Sequence, residues 1–289
     1  MTIIEPVIRP PSEAGSFLLQ ITTGCSSNHC TFCGAYAGKP FVVKDAAEIK
    51  EDIAVWASRF PGTRRVFLMD GDALVVKNDR LLPILKELRT AFPKLTRISS
   101  YANGYNITTR STEELKELFE HKIKVIYIGL ESGSQQVLDL CKKRSTAVEM
   151  VEAVKRAQDA GIKASVIVLL GLGGKVLSKE HVQNTIKALN RMQPRYLSFL
   201  SLMLIPGTPA YTEAQEGRFE ELNSKELLRE MYDIIKELDL EKTIFRSNHA
   251  SNFLALEGVF PKDKETILNA LDHALEGEIG LKPDFLRGL

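Results

Sequence analysis

From residue 17 to about residue 205 the chain alternates between two hydropathy patterns. Short apolar runs rich in β-branched residues lie at Phe17–Thr22, Arg65–Met69, Arg97–Tyr101, Val125–Gly129, Ala164–Leu170 and Tyr196–Leu202. Runs of this length and composition predict strands. Between them, apolar residues recur every three to four positions over Ala46–Arg59, Asn78–Ala91, Thr112–His121, Ala147–Ala160 and Lys179–Met192. That spacing puts one apolar stripe on each of five helices. Ser111 with Glu114 three residues on has the form of a capping box, and Gly161 suits the left-handed stop after a helix. Strand–helix alternation points to an α/β fold with a parallel sheet. Six such units make three quarters of an eight-unit barrel, so the expected fold is a partial (β/α)6 TIM-like barrel. An open doubly wound sheet shares the alternation and is the competing architecture. After Pro206 the alternation stops. Helical patterns at Ser224–Leu240 and Pro261–Leu275 predict a helical C-terminal extension, so the expected domains are 1–206 and 207–289.

Composition removes several function classes. A chain of 289 residues with 44% hydrophobic and 26% charged residues matches soluble globular proteins. It is long enough to bury about three quarters of its unfolded surface, which excludes disorder and disulfide scaffolds. Lys and Arg number 38 against 37 Asp and Glu, a net charge of +1, which gives no strong nucleic-acid signal. The apolar runs Ala164–Leu170 and Leu197–Pro206 are too short to span a bilayer. The opening MTIIEPVIRPPSEAG lacks the basic-then-apolar order of a signal peptide. The expected location is cytoplasmic.

The cysteines are the informative residues. Cys25, Cys30 and Cys33 fall in Gly24-Cys25-Ser-Ser-Asn-His-Cys30-Thr-Phe32-Cys33-Gly34, directly after the first predicted strand. Cys141 stands apart in a helical stripe and reads as a buried thiol. Clustered cysteines in a reducing compartment point to metal or redox chemistry. Three thiolates fall short of the four ligands that structural zinc takes, and His29 adjoins Cys30 too closely to join it easily. Cys141 is a possible fourth ligand. Three thiolates suit a [4Fe–4S] cluster with one iron left open; structural zinc and unrelated buried cysteines are the alternatives.

Polar motifs close the other predicted strands. The second ends in Asp70-Gly71-Asp72, the third in Ser99-Ser100-Tyr101-Ala102-Asn103-Gly104, and the fourth in Tyr127-Ile-Gly129-Leu-Glu131-Ser-Gly133-Ser134, with Lys143 downstream. Gly171-Leu-Gly173-Gly174-Lys175 follows the fifth, but Leu169 and Val176 break the phosphate-loop pattern. The sixth leads into Leu204-Ile205-Pro206-Gly207. Together with the cysteine loop, these motifs resemble the radical S-adenosylmethionine (radical SAM) superfamily over most of residues 17–206. The nearest branch is that of oxygen-independent coproporphyrinogen oxidases and methylthiotransferases. The cysteine spacing of four then two residues departs from the commonest family spacing of three then two.

The resemblance implies roles residue by residue. Cys25, Cys30 and Cys33 would hold a [4Fe–4S] cluster. Phe32, Leu204 and Ile205 would lie beside the adenine of SAM. The Asp70-Gly71-Asp72 turn would receive the SAM ammonium, with Asp72 in place of the family's Glu. Glu131 would accept from the ribose hydroxyls, as an acceptor-only carboxylate can; its bland alternative is a helix-dipole partner. Lys143 would meet the SAM carboxylate, or belong to a solvated basic run. Asn103 is a SAM contact or a turn residue.

The implied activity is reductive cleavage of SAM, giving a 5′-deoxyadenosyl radical that abstracts hydrogen from a small-molecule or peptide substrate. The electron would come from a flavodoxin or ferredoxin. The alternative is a non-catalytic iron–sulfur or zinc scaffold with a decayed SAM site. Methylthio transfer to RNA is disfavoured, because the sequence shows no second set of three cysteines and no appended basic domain. A barrel of six units is laterally open, and radical chemistry needs a dry site. Arg246, Asn248, His249 and Asn252, flanked by Phe245 and Phe253, are therefore expected in a substrate pocket or its lid; an ordinary surface loop is the alternative.

Overall fold

The computed structural model describes residues 3–5 and 7–288. After a short 3-10 turn at Pro11–Glu13 come β1 (Phe17–Leu19), β2 (Thr22–Thr23), β3 (Val42–Val43), α1 (Ala46–Arg59), β4 (Arg65–Leu68) and α2 (Asn78–Ala91). Next are β5 (Arg97–Ala102), α3 (Gly104–Thr108), α4 (Thr112–Glu120), β6 (Ile123–Glu131), α5 (Gln135–Leu140), α6 (Ala147–Asp159) and β7 (Lys163–Leu170). The chain continues through α7 (Gly174–Met192), β8 (Tyr196–Ser201), α8 (Pro209–Gln215), α9 (Ser224–Glu237), β9 (Ile244–Arg246), β10 (Glu257–Val259) and α10 (Lys264–Glu276). The result is a mostly parallel α/β sheet with helices between its strands, the arrangement of a partial barrel. Among the described residues, hydrogen bonds do not close the sheet into a ring.

Local signals act as the sequence implies. Asp45 caps α1 by accepting from Ala47 N–H at 2.7 Å. Ser111 and Glu114 bond reciprocally at the start of α4, at 3.1 and 2.7 Å. Gly161 follows α6 with φ 88°, and its N–H bonds back to Gln158.

Three departures have physical reasons. The first predicted strand divides: β1 pairs with β4, while β2 turns away to pair antiparallel with β3. Helix α7 begins five positions before its apolar stripe, because its first turn carries the exposed Val176 and Lys175. The C-terminal extension, expected from helices, also contains β9 and β10, each too short to show an alternating pattern. Strand β9 runs parallel to β8, pairing Tyr196 with Ile244.

The chain divides into two compact units. Unit 1 comprises the described residues up to Asn28, with Ala35–Ile128 and Ala153–Ala164; unit 2 comprises His29–Gly34, Gly129–Glu152 and the chain from Ser165 on. In unit 1, β1, β4, β5 and β6 pair in parallel over a core that includes Phe17, Phe67, Leu85 and Ile126. Trp56 stacks on Phe17 with ring centroids 4.6 Å apart, a packing role. Buried Glu13 takes hydrogen bonds from Arg97, Ser99 and Tyr127 at 2.9, 2.9 and 2.6 Å, which fastens the N-terminal turn to β5 and β6. In unit 2, Phe245 meets Phe199 edge-on and Phe260 at a tilt, with ring centroids 5.2 and 5.5 Å apart, and α9 buries Leu227, Met231, Ile234 and Ile235. Each such side chain contributes roughly 1.5–3 kcal/mol when fully buried.

Candidate metal and cofactor site

The cysteine loop hangs between β2 and β3, whose register pairs Thr22 with Val43 and Thr23 with Val42. Gly24 begins it at φ 70°, and a side chain there would meet the Lys39 and Pro40 carbonyls at 2.9 Å, so only glycine fits. Gly71 N–H donates to the Gly24 carbonyl at 3.1 Å. A Cβ on Gly71 would lie 2.8 Å from that of Cys25, so the turn after β4 rests directly on the first cysteine.

In unit 2, Cys33 N–H bonds to Cys30 O at 3.2 Å. Thr31 between them donates to Cys141 O at 2.9 Å and accepts from Ala210 N–H at 3.0 Å, which fixes this stretch to the ends of α5 and α8. Phe32 packs against the buried Val137, Cys141, Leu169, Leu172 and Leu202, beside Leu204. Ile205 covers Gly34, where a Cβ would meet its Cγ2 at 2.9 Å.

Cys25, Cys30 and Cys33 are half-buried; Cys141 is buried. Burial pushes the Cys30 thiol up, opposed by the Lys143 ammonium and reinforced by Glu131 and Cys33. Burial first, then proximity to Cys30, pushes Cys141 up to about 12. Its Sγ lies 3.4 Å from the Leu138 carbonyl, as expected of a core thiol.

Two carboxylate residues at strand ends have left-handed backbones, Asp70 after β4 (φ 69°) and Glu131 closing β6 (φ 60°). Such strain costs about 1–3 kcal/mol per residue and tends to mark functional positions. Glu131 pairs with Lys143 at 3.0 Å, with side chains 13% and 9% exposed. Gly129 makes that pair possible: a Cβ there would fall 2.0 Å from Glu131 Oε1. Burial works against the Lys143 charge, but Glu131 and Cys30 outweigh it and raise its pKa. Gly133 lets the following turn lie on α7, since a Cβ would meet Asn184 O at 2.2 Å.

The predicted site residues thus fall into separate groups. In unit 1, buried Asp72 accepts from the Ser26 hydroxyl. Buried Asp70 takes three donors on Oδ2. Asn103 is the N-cap of α3, with its N–H on Asn106 Oδ1 at 2.6 Å and an extended backbone. In unit 2, Arg246 pairs with Glu257 on the exposed β9–β10 hairpin. Asn248 is exposed, and His249 Nδ1 lies 2.9 Å from Ser251 Oγ. Asn252 is buried and spends its amide on Phe199 O, Ser247 and Ser201, so it serves the framework beneath β8. The sequence reading missed Ser26, Gln20 and Lys39. Gln20, a lone amide inside an apolar strand run, was the available signal.

A mostly parallel α/β sheet whose first strand leads into a three-cysteine loop fits the class of iron–sulfur proteins. The Radical SAM superfamily model matches residues 19–189, and the chain belongs to that superfamily. Its cofactors are those of the family, a [4Fe–4S] cluster and SAM. The chain is 22% identical over 193 residues to an uncharacterized methyltransferase of Pyrococcus horikoshii, covering 66% of this chain and 40% of that protein. It is 24% identical over 150 residues to a putative methylthiotransferase of Methanocaldococcus jannaschii, covering 49% and 32%. Among solved structures it is similar to coproporphyrinogen III oxidase from Escherichia coli, described as a radical SAM enzyme. That match has a TM-score of 0.56 at 16% identity over 77% of this chain and 50% of that one. The chain therefore spans less than half the length of these curated relatives. Among the described residues no helix is long and apolar enough to cross a membrane.

Proposed function

We propose that Cys25, Cys30 and Cys33 hold three irons of a [4Fe–4S] cluster, leaving the fourth to SAM, and that the protein abstracts hydrogen from a small-molecule or peptide substrate. The observation that carries this reading is the donor set. Three half-buried thiols share one loop, while the fourth cysteine is held in an apolar cluster with its thiol pushed up to about 12. Three thiols match a cluster with one open iron better than a four-ligand zinc site. When bound, cluster and SAM together supply reductive cleavage of the sulfonium and hydrogen-atom abstraction.

The chain's own residues bind and orient. Asp72 takes the SAM ammonium, and Glu131 accepts from the ribose hydroxyls. Lys143, held protonated by Glu131, meets the SAM carboxylate. Asn103 contributes a polar contact from the end of β5. Phe32, Leu204 and Ile205 offer an apolar bed for adenine that also excludes water. Asn248 and His249 are the substrate contacts of the extension, since Arg246 and Asn252 are committed to partners within it. A reduced flavodoxin or ferredoxin supplies the electron. A second reading, transfer of a methyl or methylthio group, is favoured by the names of the matched relatives.

The test is anaerobic reconstitution followed by a strong reductant and SAM. Wild type should carry about four irons per chain and release methionine and 5′-deoxyadenosine. Cys25→Ala, Cys30→Ala and Cys33→Ala should each lose the visible charge-transfer band, and Cys141→Ala should keep it. A full cluster in Cys30→Ala would sink the ligand assignment. A full cluster in wild type without SAM cleavage would make the protein a scaffold.

A further inference from the structure

Asp70 carries a buried carboxylate that the chemistry above does not use. Its Oδ2 receives Gly24 N–H at 2.8 Å, Gln20 Nε2 at 3.0 Å and Lys39 Nζ at 2.9 Å. Gly24 is the residue before Cys25, and Lys39 lies just beyond Cys33. One oxygen atom therefore ties the chain entering the cysteine loop to the chain leaving it, wholly within unit 1. Neighbouring contacts repeat the same closure: Gly71 N–H on Gly24 O at 3.1 Å, and the Thr23 hydroxyl on Pro40 O at 3.1 Å.

The pair is expensive to bury. Asp70 and Lys39 side chains are 0% and 5% exposed. A buried ion pair is weak support for stability, because desolvation offsets much of the attraction. The left-handed backbone at Asp70 adds strain. Both costs are met at a residue whose donors all lie at the base of the loop. The geometry accounts for them if the pair serves to set the loop's shape.

We propose that Asp70 is a positioning residue, whose carboxylate clasps the two stems of the cysteine loop and presets Cys25 before iron arrives. This rests on the reading of Cys25, Cys30 and Cys33 as cluster ligands. It differs from the role implied by the family resemblance, in which the Asp70-Gly71-Asp72 turn as a whole faces SAM. Asp72 keeps that role; Asp70 spends its Oδ2 on the loop stems.

Two variants test the clasp, Asp70→Asn, which is isosteric, and Lys39→Met, which removes the other charge. In the metal-free protein, Gly24 N–H should exchange with solvent at least tenfold faster in Asp70→Asn than in wild type. In the reconstituted protein, iron loss to a ferrous chelator should be about tenfold faster in Asp70→Asn and at least threefold faster in Lys39→Met. Circular dichroism and SAM affinity of the cluster-loaded protein should stay near wild type. Equal amide exchange and equal iron loss in folded variants would overturn the clasp. A tenfold loss of SAM affinity with unchanged iron release would also overturn it, by assigning the carboxylate to SAM. Should Asp70→Asn not fold, wild-type iron loss in Lys39→Met would be decisive against it. Should wild type assemble no cluster, the ligand reading falls, and amide exchange alone still decides the clasp.

Discussion

Glu131 shows how little of a site's working geometry a residue's identity reveals. Its motif was legible in the sequence, because Gly129-Leu-Glu131-Ser-Gly133 closes a predicted strand. Its left-handed backbone, its 3.0 Å pairing with Lys143 and the cradle left by Gly129 were not, since all three depend on tertiary neighbours. The expected outcome of removing one hydrogen bond between SAM and a charged carboxylate is a loss of about 1.5–3 kcal/mol, or roughly 10- to 150-fold in affinity. Asp72→Ala and Glu131→Ala should each show it by equilibrium dialysis, with iron content unchanged. Gly129→Ala should behave like Glu131→Ala, because the new methyl displaces the carboxylate. Unchanged affinity in both carboxylate variants would mean that neither touches SAM. Asp70 teaches the opposite lesson: an acidic turn at a strand end reads as a ligand site, and only the three donors gathered on Oδ2 show that its carboxylate is spent within the protein.

Among elements, legibility followed length. The stripes of α1 and α2 span three turns or more, and both helices begin and end where those stripes do. β2, β3, β9 and β10 are two or three residues long, too short for a period to register, yet β2 and β3 carry the cysteine loop. Helix α9 was expected as an apolar stripe, but its buried polar residue was not. Glu230 accepts from Gly171 N–H at 2.6 Å and from the Ser178 hydroxyl at 2.5 Å, and it faces His181 Nε2 at 3.5 Å. His181 Nδ1 in turn meets Ser132 Oγ at 2.8 Å, next to Glu131.

Burial pushes Glu230 up to about 7 and His181 down to about 4. The folded protein keeps a proton on Glu230 that the unfolded chain releases from about pH 4.5, so this contribution fades as pH rises towards 7. His181 acts in the other direction: the unfolded chain holds a proton below about 6.5 that the folded protein sheds, so its contribution fades as pH falls towards 4. The two slopes oppose each other between about 4.5 and 6.5. Glu230→Gln should unmask the histidine slope, up to about 1.4 kcal/mol per pH unit. Urea unfolding of the apoprotein from pH 4.5 to 7 measures it. Parallel curves for wild type and variant would show that Glu230 does not titrate in this range.

For the molecule as a whole, the unequal surroundings of its thiols turn the protein into its own gauge of loading. Cys141 sits among Val137, Leu169, Leu172 and Leu202, and its proton is held far above neutral pH. Thiolate, not thiol, is what an alkylating reagent consumes. At pH 7.5 the native apoprotein should therefore take up iodoacetamide on Cys25 and Cys33, more slowly on Cys30, whose thiol burial also pushes up, and on Cys141 only in denaturant. With the cluster in place the native count should fall to none, so intact mass after a brief alkylation reports the fraction of chains that carry iron. Four equivalents on the native apoprotein would show that α5 and its apolar neighbours open to solvent, and would remove the distinction between loop and core on which the gauge depends.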